Sequence, residues 1–183
     1  DFLIPRSSMY QYLFGQLIEK TPARAILDVN GVGYEIRIPV STYSKLPALR
    51  EKVKLLIHFH VREDAQILYG FITEEERDVF KLLLIVSGIG PKIAMTVLSG
   101  MTIRDLKQAI IQGSLPALTS ISGIGKKIAE RIVVELREKI VLDDASSAEI
   151  KGVSSGENLL LDDYLQALVE LGDGLRHGPG FDH

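Results

Sequence analysis

Lys92 and Lys127 sit in the same octapeptide written twice. SGIGPKIA (87–94) and SGIGKKIA (122–129) agree at seven of eight positions and lie 35 residues apart. Each reads as a tight turn that opens a helix. The first amides of a helix have no intrahelical partner, and the positive end of the helix dipole lies there, so such a turn is an anion site. A lysine just after it adds charge. The ligand chemistry this predicts is a phosphate. Backbone amides and lysines read phosphates and not bases, so binding should be largely independent of sequence.

A single Gly-x-Gly is most often a plain turn. Here the match extends into a hydrophobic frame. Leu83, Val86, Gly88, Ile89, Gly90, Ala94 and Val97 correspond to Leu118, Ile121, Gly123, Ile124, Gly125, Ala129 and Ile132. The pattern predicts a helix, a hairpin and a second helix, twice over: a tandem helix-hairpin-helix domain. The glycines would permit positive φ and close backbone approach at both ends of each hairpin. Ile89 and Ile124 would pin the hairpins to the helices, and Ala94 and Ala129 would let the helices pack closely. Two such turns about an approximate twofold axis could hold both strands of a duplex. Pro91 stands where the second copy has Lys126. The second hairpin is therefore expected to carry more of the charge-dependent affinity, and the first more of the fixed geometry.

Charge supports this reading. The 183 residues carry a net charge of −3, but residues 81–140 alone carry +5, against −1 before them and −7 after. The basic block contains both repeats, and a local field governs contact with a polyanion. There is no cysteine, which excludes disulfides and thiolate metal sites. The longest apolar runs, such as Leu82 to Val86, are too short to cross a bilayer.

No catalytic set emerges. The phosphate-loop pattern GxxxxGK[ST] fails, because Lys127 follows Gly125-Lys126 and Ser120 takes the place of the first glycine. His58 and His60 alternate on one strand face without a convincing third ligand, so no metal is expected. Asp143-Asp144 and Asp162-Asp163 read as solvated acids. The alternative is a helix-hairpin-helix repair nuclease or glycosylase. A nuclease would need clustered carboxylates, for which Glu63-Asp64 is the candidate. A glycosylase would have Glu130 and Glu135 to draw on beyond the second hairpin. A scaffold without DNA affinity is a third reading.

These residues need elements to place them. Residues 11–20, 23–29, 34–40, 52–61 and 65–72 are short, rich in β-branched and aromatic residues and partly alternating, which predicts five strands. Five strands in so short a span suggest a closed barrel of the OB-fold type. The period then turns helical. Thr73 with Glu76 forms a capping box. Pro91 can open a helix to about Ser99, Thr102 with Asp105 caps one over 102–112, and helices follow over 115–121 and from Gly125 to about Val141. The fold class is thus α+β, strands first. The expected division is a leader or expression scar over 1–8 with Met9 as natural start, an OB-fold domain over 9–72, and the tandem helix-hairpin-helix domain over 73–141. An acidic flexible linker over 142–158 and part of a small helical C-terminal domain over 159–183 complete it.

A barrel, paired hairpins, acidic linker and terminal helix, in that order, resemble the RuvA family of Holliday-junction-binding proteins. NGVGYE (30–35), HFHVREDAQILYGF (58–71) and both hairpin segments carry the resemblance, which runs from Met9 to about Gly172. It implies a non-catalytic DNA-binding subunit without cofactors, cytoplasmic, acting in recombination, repair and the SOS response. It implies a homotetramer, sometimes an octamer on DNA, that holds a four-way junction open for a RuvB-like hexameric ATPase and works beside a RuvC-like resolvase. The implied DNA-binding residues are Gly88, Ile89, Gly90, Lys92, Gly123, Ile124, Gly125, Lys126, Lys127 and Arg131, with Arg62 near the crossover. Glu63 and Asp64 match the family's acidic pin, whose carboxylates would repel phosphates from the centre. Leu165, Leu168 and Leu171 match the first helix of the motor-binding domain. After Gly172 the chain departs from the family's pattern, which puts motor binding by this chain in question.

Overall fold

The computed structural model describes residues 9–63 and 65–141. The expectations for 1–8, Asp64, the linker 142–158 and the segment 159–183, with Leu165, Leu168 and Leu171, lie outside the described residues.

Five strands close into a barrel: β1 (Tyr12–Thr21), β2 (Arg24–Val29), β3 (Val32–Arg37), β4 (Lys52–Val61) and β5 (Gln66–Phe71). Their order around the barrel is β1-β2-β3-β5-β4. All neighbours are antiparallel except β3 and β5, which pair in parallel through Ile36↔Leu68 and Arg37↔Tyr69. Closure comes from β1 against β4, with Tyr12 opposite Leu56 and Gln16 opposite Lys52. The period-two pattern puts Leu13, Leu17, Leu27, Ile36, Leu55 and Ile57 inside. Each such side chain stabilises the barrel by about 1.5–3 kcal/mol on burial. The β2–β3 connection is the Asn30-Gly31 pair, both left-handed at φ 53° and 88°, a geometry that matches the twist of the flanking strands.

The third strand differs from the expected 34–40. It begins at Val32, as the turn chemistry allows, and stops at Arg37. Pro39 has no N–H to offer a ladder and sits at φ −75°, ψ 162°, capping a four-residue helix α1 (Val40–Tyr43) that the sequence pattern did not signal.

The helices are α2 (Glu74–Ile85), α3 (Pro91–Gly100), α4 (Ile103–Gln112), α5 (Leu115–Thr119) and α6, residues 126–141. Thr73 caps α2 by accepting from the Glu76 amide at 3.2 Å, and Thr102 caps α4 from Asp105 in the same way at 3.1 Å. The other half of the first capping box is diverted. The Glu76 carboxylate takes the Ile72 amide at 3.2 Å, and not that of Thr73, and accepts from Thr42 Oγ1 at 2.7 Å and Lys45 Nζ at 3.2 Å. The short last helix before the second hairpin ends at Thr119, two residues earlier than expected.

Barrel and helices up to Glu138 form one compact unit. Phe80 of α2 is the joint. It is fully buried, with its ring 4.9 Å from Phe71, 5.2 Å from Tyr69 and 5.3 Å from His58. The buried Glu76 sits one turn earlier on the same helix and ties it to α1.

Candidate nucleic-acid interface

The two hairpins are built by the same bonds. In the first, the amide of Val86 donates to Leu83 O, Ile89 to Val86 O and Ala94 to Gly90 O, at 3.0–3.1 Å. In the second, Ile121 donates to Leu118 O, Ile124 to Ile121 O and Ala129 to Gly125 O, at 3.0–3.3 Å. Gly88 and Gly123 have φ of 89° and 85°, a backbone state that favours glycine. Ile89 and Ile124 are 5% and 4% exposed, so the isoleucine between the glycines does point inward. Ala94, Ala129, Leu83 and Leu118 are completely buried, as the close helix packing requires.

The second glycine of each pair differs from expectation. Gly90 is extended at φ −95°, ψ 175°, and the φ of Gly125 is not in the positive region either. A Cβ added at either would meet nothing within 4 Å. Neither the local backbone nor an internal neighbour requires glycine there. Both stand at the N-cap, where a side chain would instead crowd whatever approaches the first helical amides from outside.

Lys92, Lys126 and Lys127 are all exposed at these helix starts. Lys126 lies 4.0 Å from Glu130, a solvated pair of little energetic weight. Among the described residues no carboxylate stands within ion-pair distance of Lys92 or Lys127. Arg131 is exposed on α6 and has a partner within the protein. Its Nη1 donates to Ser87 O, in the first hairpin, at 3.0 Å. Glu135, one turn further on α6, accepts from the Ser87 amide at 3.4 Å.

Arg62 and Glu63 lie in the β4–β5 connection, closed by the Arg62 amide donating to Ala65 O at 2.8 Å. Arg62 Nε donates to His60 Nε2 at 3.0 Å, which requires that nitrogen to be unprotonated. Burial first, and the Arg62 charge second, hold His60 below the usual histidine range. His58 is pushed down to about 4, by burial and then by His60 and Lys81. The two imidazoles do share a strand face, stacked with centroids 6.3 Å apart.

The structure also joins what sequence reasoning kept apart. Arg62, from the barrel, and Lys92, from the first hairpin, line one cleft of ≈ 280 Å³ together with Arg37, His60 and Tyr69. Among the described residues no carboxylate lines it. Arg37 was missed. Its only signal was an outward charge near the end of a strand, which many surface positions share.

Of the acids considered for a glycosylase, Glu135 accepts from the Ser87 amide and Glu130 stands exposed on α6, 4.0 Å from Lys126. Among the described residues no group of three or more His, Cys, Asp or Glu side chains is placed to hold a metal ion. None of the helices described is long and apolar enough to cross a membrane.

A closed five-stranded barrel fused to two equivalent hairpins, with lysines at both helix starts, defines an OB-barrel protein with a tandem helix-hairpin-helix domain. The family model described as RuvA N terminal domain matches residues 9–70, and that described as SAM-like Helix-hairpin-helix tandem matches 80–138. The chain is 51% identical to the Holliday junction branch migration complex subunit RuvA of Syntrophotalea carbinolica, over 90% of this chain and 83% of that one. To proteins of the same name it is 49% identical in Geobacter sulfurreducens, over 90% and 83%, and 46% in Methylibium petroleiphilum, over 87% and 81%. The chain belongs to the RuvA family.

Proposed function

We propose that this protein is a non-catalytic subunit that binds four-way DNA junctions by their backbone and holds them open for branch migration by a partner ATPase. The observation that carries this is the pair of equivalent hairpins. Each presents helix-start amides, a glycine that nothing internal requires and an exposed lysine, within a chain of the RuvA family. Gly88, Ile89 and Gly90 shape the first grip and Gly123, Ile124 and Gly125 the second. Lys92, Lys126 and Lys127 supply charge. Arg37 and Arg62 continue the cationic surface from the first hairpin toward the β4–β5 tip, where Glu63 stands. Glu63 and Asp64 act as the acidic pin.

The assembly follows from the ligand's symmetry. A fourfold homotetramer would present one hairpin pair to each arm and bring the four pins to the centre. An octamer would add a second face. The motor is RuvB-like and the resolvase RuvC-like, with the cytoplasm as the compartment; Leu165, Leu168 and Leu171 match the family's motor contact, although the chain after Gly172 departs from the family's pattern.

The experiment is a salt series of binding to a synthetic four-way junction and to duplex of the same base composition. The junction should bind more tightly at every salt concentration. Each phosphate contact adds about −0.9 to the slope of log K against log salt. Lys127→Ala and Lys92→Ala should each reduce that slope, Lys127→Ala by at least as much. Equal affinity for junction and duplex, or slopes untouched by both substitutions, would overturn the reading.

A further inference from the structure

The two hairpins are bolted together. Ser87 immediately precedes Gly88, and both its main-chain groups are taken by α6. Arg131 Nη1 donates to its carbonyl across 44 residues of chain, and Glu135 accepts from its amide across 48. The two side chains stand one turn apart on the helix that the second hairpin opens. Burial of Val86 and Ile89 anchors the first hairpin to its own helices, and two links a turn apart on α6 add a direct restraint on its position and direction relative to the second. A Cβ on Gly88 would lie 3.2 Å from Arg131 Nη1, so the link also closes tightly on the turn itself.

We infer that Arg131 and Glu135 are positioning residues that hold the two phosphate grips at one separation, a role that rests on the proposed use of the hairpins as paired grips. Backbone phosphates are evenly spaced, so two grips engage the same duplex well only when their separation matches. Holding that separation before binding converts the second contact into an intramolecular event and removes the cost of ordering the hairpin. Arg131 then serves Ser87 through Nη1 and keeps its other donors for phosphate, and Glu135 contributes to binding although it is an anion facing a polyanion.

That last consequence gives a test with a definite sign. By simple Coulomb repulsion, removing a carboxylate from a DNA-binding surface strengthens binding. The spacer role demands the reverse. Glu135→Ala in the full chain should weaken junction binding fivefold or more, with an unchanged salt slope, because no phosphate contact is lost. Glu135→Gln keeps an acceptor for the Ser87 amide and should bind within about twofold of the parent. Glu130→Ala, which removes an exposed carboxylate on the same helix that does not touch the first hairpin, should not weaken binding. Thermal melting of each variant identifies loss of fold. Should Glu135→Ala fail to fold, Arg131→Met gives the same answer. It should lower affinity by more than the loss of a single phosphate contact, a slope change of about 0.9, accounts for, and unchanged affinity would overturn the inference. Glu135→Ala binding as tightly as the parent, or more tightly, would overturn it as well. Failure of the parent to bind any DNA would instead remove the proposed function.

Discussion

The glycines of the hairpins separate folding from binding at single-atom resolution. Gly88 and Gly123 hold φ of 89° and 85°. An alanine in that region costs about 1–2 kcal/mol. Gly88→Ala also presses on Arg131 Nη1 at 3.2 Å, while an added Cβ at position 123 meets nothing within 4 Å. Gly90→Ala and Gly125→Ala are of another kind. The backbone is not left-handed and the space is open. Restricting the unfolded chain stabilises by about 0.4–1 kcal/mol. The N-cap preference for glycine over alanine opposes this by a similar amount. The net change in stability should stay within about 0.5 kcal/mol. Binding should respond in the opposite order of subtlety. A phosphate oxygen bound to a helix-start amide sits about 2.9 Å from the nitrogen, and a methyl group on the N-cap residue intrudes on that approach. A tenfold loss of junction affinity, about 1.4 kcal/mol, is expected for each of Gly90→Ala and Gly125→Ala. Urea denaturation gives the first quantity and fluorescence anisotropy with a labelled junction the second. If either variant folds normally and binds like the parent, phosphate does not approach that glycine. A stability loss well above 1 kcal/mol would mean that glycine is required internally, contrary to the open space around it.

Two further outcomes follow from the joint between barrel and helices. Glu76→Ala leaves the fully buried Thr42 hydroxyl without its acceptor, while the Ile72 amide keeps Thr42 Oγ1 at 3.3 Å, and should cost about 1–3 kcal/mol, whereas Glu76→Gln, which keeps an acceptor, should cost less than half as much. Equal losses in urea titrations of the two would show that the hydrogen bonds are not what Glu76 contributes. His58 is held at about 4 when folded, against 6.5 in the unfolded chain, so the unfolded state takes up the proton first as pH falls. Stability from this group is present above pH 6.5 and declines progressively as pH falls toward 4, by no more than about 3 kcal/mol and by less once solvent screening of the half-buried ring is counted. His58→Gln should therefore flatten the fall in urea midpoint between pH 7 and 4.5 relative to the parent, and identical pH dependence in the two proteins would refute the assignment.

What the sequence made legible was local or periodic. Alternation marked the strands, Asn30-Gly31 marked a hairpin, Thr73 and Thr102 marked helix starts, and the duplicated frame from Leu83 to Val97 marked both hairpins. Pro39 shows where this stops. A run of apolar residues through Ile38 and Val40 reads as continuing strand, and only the lost N–H ends it. The candidate site divides in the same way. The hairpin lysines were legible because two copies stood in register. Arg37 was not, because its meaning comes from Lys92 and Arg62, which share its cleft but not its element. The protein partner of Arg131 was hidden for the same reason. On a helix after a basic hairpin it counts as one more cation, and only the position of Ser87, 44 residues earlier, shows it bonded to protein.

The joint explains how a barrel can contribute to a grip built from helices. Arg37 and Arg62 can act with Lys92 only if the barrel holds a fixed attitude to α3. Aromatic burial around Phe80 provides much of the energy, but apolar contact is tolerant of direction. The Glu76 carboxylate is not. It must reach Thr42 Oγ1 at 2.7 Å and the Ile72 amide at 3.2 Å at once, one from the helix after β3 and one from the end of β5. The two bonds together restrict the rotation of α2 over the barrel, and an unsatisfied buried carboxylate costs several kcal/mol. The clasp therefore narrows the orientations that Phe80 alone would permit. The orientation it holds is the one in which the cations of the barrel and of the first hairpin meet.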